Sequence, residues 1–529
     1  MNIDEFFDRK QYLEILDKRI RSLKEGYRQN IAIIGDETVG KTSILMKFLN
    51  MFYDPNIIML YLELRPESLE SFTKRFIGVL LYNFLINSNT QLKEDLNFLI
   101  NESSRYIPLT IEKAKNILSA LQRKKKSNIF TDLLSLCELI HQETNKSCVV
   151  VFDEFNHLEN LGIKGIYAEW AKTLVLQKNT MYILVSSMKF KSKVILSKSL
   201  SLLFGNFETI NIEPFDIKTS EQYLRYKIGA NLDQAQINFL IHFTGGYPFY
   251  LRIISDEIKY VGQGNLIDIL EKLLFTPSGI LNQRFSNYIK RFLDSPYSQE
   301  YISMLYLIAS GHNKYNELNN MLHKPKREIN IKVNHLLESD VISRIGDFLK
   351  INDRVFGFWL RFVYQEKLNS FTFNTYNQRT LFRKKIETMI QEFISNTQKS
   401  ALERIKEVLH LFSDEVVQIE RKRLRFTHFR EIKPLEFNNC NVKEGLIGRS
   451  QDGIWIVGIK MGHLTEEDIS GFAKECKRYR YKLQKKIIIA FRDIDINAKL
   501  RALNEKILTL DLDNFNQLLD LFSKPRIIL

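Results

Sequence analysis

The sequence has 529 residues and a formal net charge of +14, with 44% hydrophobic and 26% charged residues. This length exceeds one ordinary domain, and the composition excludes a largely disordered chain. No apolar run is long enough for a transmembrane helix, and the segment up to Arg9 does not have the pattern of a signal peptide. Its four cysteines lack paired spacing, so we expect a cytoplasmic protein with neither a disulfide framework nor a zinc site.

The positive charge is unevenly distributed along the chain. Residues 1–280 carry a net charge of +2, and residues 281–529 carry +12. This asymmetry predicts a nearly neutral front part and a basic rear part that meets a polyanion. Solvated helix faces in a lysine-rich chain would produce the same asymmetry, so charge alone does not decide between the two explanations.

The first motif is a phosphate-binding loop. Ile31 to Ile34 predict a buried strand, and the pattern GxxxxGK[ST] follows it at the start of a predicted helix. In this pattern the glycines let backbone N–H groups turn toward phosphates, Lys41 places a charge on the β- and γ-phosphates, and Thr42 offers its hydroxyl to Mg²⁺. The predicted nucleotide-binding residues are Gly35, Asp36, Glu37, Thr38, Val39, Gly40, Lys41, Thr42 and Ser43.

A second apolar strand, Cys148 to Phe152, ends in two acids. Asp153 is predicted to bind Mg²⁺ through water, and Glu154 to polarise the attacking water, with Lys41 as the third catalytic residue. Acids that cap the following helix are the structural alternative. The combination with the phosphate-binding loop favours an ATP site that uses Mg²⁺.

Further strands alternate with helices. Ile57 to Leu64, Tyr182 to Ser186 and Glu208 to Ile212 predict strands of the same sheet, which indicates an α/β fold with a right-handed parallel sheet. Ser186 and Ser187 lie at a strand end. They are equally suited to sensing the γ-phosphate and to forming a structural turn.

Two other segments resemble a known family. Phe6 to Leu16 (FFDRKQYLEIL) and Gly245 to Leu251 (GGYPFYL) are similar to signatures of archaeal-type ATPases in the P-loop AAA+/STAND group. The resemblance covers roughly residues 1–365. It implies that Arg9 lies near the nucleotide base and that Pro248 belongs to a loop that closes over the adenine.

The chain departs from that family at one position. Many members carry an arginine before the last core strand, where this sequence has Gly205-Asn206-Phe207. Arg225 and Arg252, in a helical lid expected from Ile217 to Leu274, are candidates to replace it. Without that charge we expect hydrolysis to be slow or to need a neighbouring subunit, which makes a homo-oligomer possible.

The middle of the chain predicts a winged helix-turn-helix. Its predicted elements are helices Glu300 to Ala309, Asn313 to Leu322 and Lys324 to Leu337, and a hairpin of Val341 to Arg344 with Phe348 to Ile351. The third helix would enter a DNA major groove, where Lys324 or Arg327 would meet phosphates. Winged helices in ATPases of this group also serve as protein-binding or autoinhibitory modules, and the sequence leaves both roles open.

The rear of the chain resembles a nuclease-like fold. Phe358, Trp359, Arg361 and Phe362 are similar to a segment of archaeal ATPases that carry a restriction-endonuclease-like C-terminal domain, which implies the same fold here. That fold holds Mg²⁺ with an aspartate on one strand and an ExK or QxK on the next. Gly445 and Gly458 stand where the acids belong, although Lys460 is present, so we expect an inactive domain.

Two basic clusters, the second with interleaved tyrosines, mark this rear part as a possible nucleic-acid surface. The clusters are Arg421, Lys422, Arg423 and Arg425, and then Lys474, Lys477, Arg478, Arg480, Lys482, Lys485 and Lys486 with Tyr479 and Tyr481. Long helices are predicted over Leu381 to His410 and Glu466 to Tyr481. The second would place Lys474, Lys477, Arg478 and Tyr481 on one face.

The predicted architecture has four parts: a P-loop ATPase core (1–215), a helical lid (216–280), a winged helix-turn-helix (281–370) and a nuclease-like basic domain (371–529). The predicted function is ATP hydrolysis coupled to conformational change and to DNA contact, without membrane association. The alternatives are a STAND-type signalling or assembly switch with a protein partner and, less favoured, an active Mg²⁺-dependent nuclease.

Overall fold

The computed structural model describes residues 6–86, 91–123, 128–200, 207–229, 232–262, 265–293, 298–369, 375–420, 422–438, 440–479 and 481–528. They form two compact units. The first contains the described residues up to Thr219, together with Tyr247–Phe249 and Glu338–Asp340, and the second contains the rest. Among the described residues, no helix is both long and apolar enough to cross a membrane.

The first unit alternates strands and helices. Its elements are α1 (Lys10–Lys24), β1 (Asn30–Gly35), α2 (Lys41–Met51), β2 (Ile57–Glu63), α3 (Leu69–Leu85), α4 (Leu96–Ser103), α5 (Pro108–Gln122), α6 (Ile129–Thr144), β3 (Ser147–Asp153), α7 (Ile166–Leu176), β4 (Thr180–Ser186), α8 (Lys189–Val194) and β5 (Phe207–Ile212). Their apolar strands are buried on both faces, as parallel strands covered by helices require.

The five strands form one parallel sheet in the order β2-β3-β4-β1-β5. The predicted α/β fold with a parallel sheet is therefore confirmed. Because β4 lies between β1 and β3, the end of β4 separates the phosphate-binding loop from the acids after β3. Register aligns Ile34 with Ser186 and Phe152 with Leu184, so all three strand ends lie at one edge of the sheet.

The second unit begins with helices. They are α9 (Ile217–Ile228), α10 (Gln234–Thr244), α11 (Pro248–Val261), α12 (Leu266–Leu274), α13 (Ile280–Leu293), α14 (Ser298–Ala309), α15 (Tyr315–Leu322) and α16 (Lys326–Glu338), followed by the hairpin β6 (Ile342–Ile345) and β7 (Phe348–Ile351). The third of the three predicted middle helices starts at Lys326 instead of Lys324, because Pro325 disfavours helical geometry in the residue before it.

The remaining elements are α17 (Arg354–Trp359), α18 (Gln365–Asn369), α19 (Thr375–Gln398), α20 (Ala401–His410), β8 (Val416–Ile419), β9 (Lys422–Arg425), β10 (Glu431–Glu436), β11 (Glu444–Arg449), β12 (Ile454–Lys460), α21 (Glu466–Cys476), β13 (Leu483–Ala490), α22 (Ile496–Asn504), β14 (Ile507–Leu510) and α23 (Leu512–Leu521). The last five strands, β10 to β14 in sequence order, form a mixed sheet. Neighbours are antiparallel from β10 to β12 and parallel from β12 to β14.

Two helix predictions in this unit are wrong in their extent. The predicted helix from Leu381 to His410 is two helices, because Ser400 and Glu403 form a capping box that starts α20. The helix predicted to reach Tyr481 ends at Cys476 and continues as a short 3₁₀ turn. Lys477, Arg478 and Tyr481 therefore do not share an α-helical face with Lys474. The four-part domain division stays a prediction.

Candidate active site

The phosphate-binding loop follows β1, and two of its glycines have a geometric reason. A Cβ on Gly35 would lie 2.5 Å from the carbonyl oxygen of Ile212 on β5, so no larger residue fits there. Gly40 has φ of 94°, a conformation that side chains with a Cβ rarely adopt. Asp36, Glu37, Thr38 and Val39 form the loop between these glycines, and Ser43 lies in the first turn of α2.

Lys41 is buried within this loop. Its Nζ donates to the carbonyl oxygens of Gly35 at 3.0 Å and Asp36 at 2.7 Å, and lies 3.2 Å from Ser187 Oγ. Burial lowers the pKa of the Lys41 ammonium, while the carboxylates of Glu154 and Asp153 oppose this shift. The ammonium is thus curled into the loop that the sequence predicts for phosphate binding.

Thr42 and Asp153 meet across the sheet edge. Thr42 Oγ1 donates to Asp153 Oδ2 at 3.1 Å, and Tyr61 on β2 donates its hydroxyl to the same oxygen at 2.8 Å. Burial and the Asp153 carboxylate raise the pKa of Tyr61, so its phenol stays protonated and remains a donor. Tyr61 was not among the predicted site residues, because its contact with Asp153 depends on the pairing of β2 with β3.

Glu154 is held by the end of β4. It has φ of 53°, and its carboxylate accepts from the Ser187 N–H at 3.1 Å and from the Ser187 hydroxyl. Ser186 has a different set of partners, because its hydroxyl accepts from the Met188 N–H at 2.9 Å and from Asn156. The two serines therefore divide the roles that the sequence left open: Ser186 stabilises a turn, and Ser187 contacts Glu154 and Lys41.

Arg9 lies beside the end of β5. It is buried, with φ of 70°, and donates to the carbonyl oxygen of Glu213 at 2.5 Å. Its guanidinium carbon lies 4.8 Å from the centroid of the Phe215 ring and 5.6 Å from that of Tyr12. Such a cation held between aromatic rings suits the flat base that the resemblance assigns to this position.

The GGYPFYL segment reaches the phosphate-binding loop through a tyrosine. Pro248 begins α11, and the hydroxyl of the preceding Tyr247 donates to Asp36 Oδ2 at 2.9 Å. Lys189, at the start of α8, donates to the same oxygen at 2.8 Å. Lys189 was not among the predicted site residues, because nothing in its local pattern shows where α8 lies.

Arg225 is one of the two candidates to replace the arginine that the family carries before the last core strand. Gly205 and Asn206 lie outside the described residues. Arg225 pairs with Glu221 on its own helix, with 2.9 Å between Arg225 Nε and the carboxylate, and also contacts Gln234. Arg225 is thus held by surface partners of the second unit.

The predicted nuclease-like centre of the second unit is filled with apolar side chains. Gly445 pairs with Gly458 in the register of β11 and β12. A Cβ on Gly445 would lie 2.6 Å from the Phe437 ring, and one on Gly458 would lie 2.8 Å from the Phe472 ring. These two rings pack edge to face, with centroids 5.3 Å apart. The space in which metal-binding acids would project is therefore occupied.

Lys460, the lysine that the resemblance assigns to the nuclease signature, has a structural partner. Its Nζ lies 3.1 Å from Asp468 Oδ1, and Asp468 is buried in the first turn of α21. The chain contains another ExK pattern, Glu475-Cys476-Lys477, which lies on α21 and the turn after it, away from any strand. Within the described ranges, no group of three or more His, Cys, Asp or Glu could hold a metal ion.

One of the comparisons with known proteins covers the phosphate-binding loop of the first unit. A family model described as an ATPase domain predominantly from Archaea matches residues 6–254. No curated protein matches the sequence.

Solved structures of similar fold include a Walker-type ATPase, paby2304, of Pyrococcus abyssi. It has 21% identity, a TM-score of 0.49, and coverage of 68% of this chain and 96% of that chain. The Aeropyrum pernix ORC1 protein in complex with DNA has 10% identity, a TM-score of 0.36, and coverage of 67% and 92%. The Thermotoga maritima RuvB branch migration motor has 10% identity, a TM-score of 0.31, and coverage of 68% and 96%. At such identities and TM-scores these similarities carry no argument about ligands or partners.

The family match covers the phosphate-binding loop, the two acids after β3 and the GGYPFYL segment, and extends the resemblance noted in the sequence to the whole of this stretch. The predicted enzyme class, an ATPase, is confirmed, and the match to the archaeal ATPase family covers residues 6–254.

Proposed function

We propose that this protein binds ATP with Mg²⁺ at the edge of the parallel sheet and hydrolyses it to drive a conformational change. The observation that carries the proposal is the meeting of Thr42 and Asp153, with 3.1 Å between the hydroxyl and carboxylate oxygens. Mg²⁺ favours one or two protein oxygens together with substrate phosphates and water, and this pair supplies such oxygens.

Each residue of the site then has a defined task. Lys41 and the loop N–H groups would hold the phosphates, and Thr42 and Asp153 would hold the metal, which would supply positive charge to the transferred phosphoryl group. Glu154 accepts a proton from the attacking water, and Ser187 orients its carboxylate through two hydrogen bonds. Arg9 and Pro248 are assigned to the base end of the nucleotide.

Lys41→Ala tests this assignment directly. Removal of the buried ammonium should lower both ATP affinity and turnover by at least about tenfold, because a charge-assisted contact to phosphate is lost. Lys47→Ala on the same helix is the matched control and should leave both unchanged. Unchanged binding and turnover in Lys41→Ala would show that the site lies elsewhere.

The second unit offers a surface for nucleic acid, and we include DNA contact in the proposal. Strands β6 and β8 lie next to each other, and β8 pairs with β9. Exposed basic residues lie on β6 and β9. We call this surface the basic ridge, and it consists of Arg344, Lys422, Arg423 and Arg425. Arg421 and Arg480 of the predicted clusters lie outside the described residues.

The second predicted basic cluster reaches both faces of the mixed sheet. The β8–β9 hairpin packs with α20 and α23 on one face, and α21 covers the other. Lys485 and Lys486 alternate across β13: Lys485 reaches the carbonyl oxygen of Arg425 at 2.6 Å, and Lys486 reaches that of Glu505. Lys485 therefore lies beside the basic ridge, and Lys486 lies on the other face.

Charge reversal tests DNA contact. Lys422→Glu with Arg423→Glu should abolish low-salt retention of duplex DNA, because phosphate contacts and released counterions supply most of such binding. Lys499→Glu with Lys506→Glu, on α22 and after it, is the control with equal charge change and should retain DNA. Equal loss in both double variants would indicate only a net-charge effect.

One contact favours the second candidate, a signalling or assembly switch with a protein partner. The tip of the β6–β7 hairpin is docked on β8: the Asp347 N–H donates to the Val416 carbonyl oxygen at 2.8 Å, and the Val416 N–H donates to Asp347 Oδ2 at 2.7 Å. This hairpin tip is thus held against another segment of the same chain. Absence of DNA retention even at low salt would support the switch, and the mass in solution with and without ATP would test a homo-oligomer.

A further inference from the structure

The phosphate-binding loop contains an unusual concentration of acids. Asp36 and Glu37 lie within the loop, and Asp153 and Glu154 follow β3 at the same sheet edge. A polyphosphate adds further negative charge, which a single divalent cation and Lys41 offset only in part. In a site partly closed to water, like charges at contact distance cost several-fold more than they do in bulk solvent. A further cation near the loop would therefore stabilise the bound polyphosphate.

Lys189 has the geometry of that cation. Its Nζ lies 2.8 Å from Asp36 Oδ2 and 3.8 Å from Glu213 Oε2, and its side chain is mostly covered by protein. It follows Ser187 by two residues, and Ser187 contacts both Lys41 and Glu154. Lys189 thus belongs to the end of the site that holds the proposed base and phosphate-binding lysine.

The Asp36 carboxylate accepts a hydrogen bond from a second donor besides Lys189. The Tyr247 hydroxyl donates to the same carboxylate oxygen at 2.9 Å, and the main-chain carbonyl of Asp36 accepts from Lys41 at 2.7 Å. If the Lys189 ammonium moved away, the Tyr247 hydroxyl would still satisfy the Asp36 carboxylate. The partner of Lys189 can therefore change without leaving a carboxylate without a donor.

We propose that Lys189 is a phosphate-binding residue of this ATPase, held ready by Asp36, and that ATP binding transfers its ammonium from the Asp36 carboxylate to the terminal phosphate. This inference rests on the proposed ATP site and adds to it a cation supplied by the same chain. A phosphate oxygen replaces a carboxylate oxygen as acceptor, so the charge-assisted hydrogen bond is conserved in kind. Asp36 acts as a competing acceptor that keeps the ammonium at the mouth of the loop.

The test compares ATP with ADP. The full-length chain carrying Glu154→Gln, which slows hydrolysis, is titrated with ATP and with ADP in Mg²⁺ by calorimetry. Adding Lys189→Met should weaken ATP binding about tenfold and ADP binding less than about twofold, because one charge-assisted contact to the terminal phosphate is lost. Lys189→Arg should restore most of the ATP affinity. Asp36→Asn should strengthen ATP binding, because it removes the competing carboxylate.

The matched control lies on the same helix. Lys191 pairs with Glu159, 2.5 Å away, on the segment after β3, so Lys191→Met removes an equal charge and an ion pair without touching the loop. It should change neither affinity. Thermal midpoints of the variants without nucleotide report whether Lys189→Met has merely disturbed the fold.

Three results would overturn the inference. They are equal weakening of ATP and ADP by Lys189→Met, an effect no larger than that of Lys191→Met, or a loss of affinity explained by a lowered thermal midpoint. Failure of the proposed function looks different, since then the chain with Lys189 intact would bind ATP no better than Lys41→Ala does.

Discussion

The parallel sheet of the first unit and the mixed sheet of the second differ in the side chains at their candidate sites: those of the first are polar, and those of the second are apolar. At the edge of the parallel sheet, Lys41, Asp153 and Glu154 converge: Lys41 donates to Ser187, the Ser187 hydroxyl donates to Glu154, and Tyr61 donates to Asp153. In the mixed sheet, two paired glycines face phenylalanine rings at the positions that the resemblance assigns to acids. Lys460 on the same sheet is paired with a buried aspartate.

The difference shows how a polar site is maintained or lost. Buried polar groups are costly unless they are partnered, so a site that keeps them needs supporting donors and acceptors. In the second unit, apolar side chains occupy the space beside the paired glycines, and their burial stabilises the fold. One buried carboxylate of this unit forms a closed cluster with three cations: Asp520 on α23 accepts from Lys350, Arg354 and Arg526.

The largest expected effect concerns this closed cluster. Asp520→Ala should lower the free energy of unfolding by about 3–5 kcal/mol, because three partly or fully buried cations lose their carboxylate. Urea unfolding of the full chain measures it. Asp513→Ala, at the start of the same helix, is a control that should cost under about 1 kcal/mol. A cost for Asp520→Ala below that of the control would contradict the structural role of the cluster.

The second prediction concerns the first unit, where charge serves chemistry. Glu154→Gln should lower ATP turnover by about 10²–10³-fold, because the amide cannot accept the proton of the attacking water. ATP affinity and unfolding free energy should stay close to those of the unmodified chain. Glu159→Gln, five residues further along, is the control. Turnover that survives in Glu154→Gln would remove Glu154 from its proposed role as base.

The third prediction tests whether the nuclease-like centre is closed by packing. Gly458→Ala should cost about 1–3 kcal/mol of stability, because the added methyl group meets buried Phe472 and Val442. Gly462→Ala is the matched control, since a Cβ there would meet nothing nearer than Lys460 Cε at 4.0 Å. Equal stability of both variants would mean that the packing around Gly458 leaves room for a larger side chain. We expect Mg²⁺-dependent DNA cleavage in neither variant.

The smallest effect is a dependence of stability on pH. His242 accepts hydrogen bonds from Arg354 and from the Arg526 N–H, and burial, with these arginines and Arg404, lowers its pKa well below its ordinary value. Below about pH 6.5 the unfolded chain binds a proton that the folded chain does not. Stability should therefore fall as pH drops below 6.5, by at most about 1.4 kcal/mol per pH unit from this group.

His242→Gln isolates that contribution, because its amide oxygen can accept hydrogen bonds and does not titrate. Unfolding free energies at several pH values should show a shallower decline in the variant than in the unmodified chain. Parallel declines would show that His242 titrates alike in both states.

The part of the site that could be predicted from the sequence is the part encoded locally. The glycines of the phosphate-binding loop and the acids after β3 follow from short patterns, since loop conformation and strand ends depend on neighbouring residues. Tyr61 and Lys189 could not be predicted in this way. Their contacts with Asp153 and Asp36 depend on strand order and on the position of α8, which no local pattern contains.

The uneven charge of the sequence likewise predicts a basic rear part, but it does not indicate which basic residues share a surface. Sequence alone determined the ATPase domain and the α/β class, because each depends on residue type and spacing, and the nuclease resemblance of the rear part stays a prediction. Only tertiary structure decided that Ser187 rather than Ser186 contacts Lys41, that phenylalanine rings face Gly445 and Gly458, and that Lys485 and Lys486 lie on different faces of the mixed sheet. Those outcomes depend on strand register and on which faces of a sheet are covered, and both are properties of the folded chain.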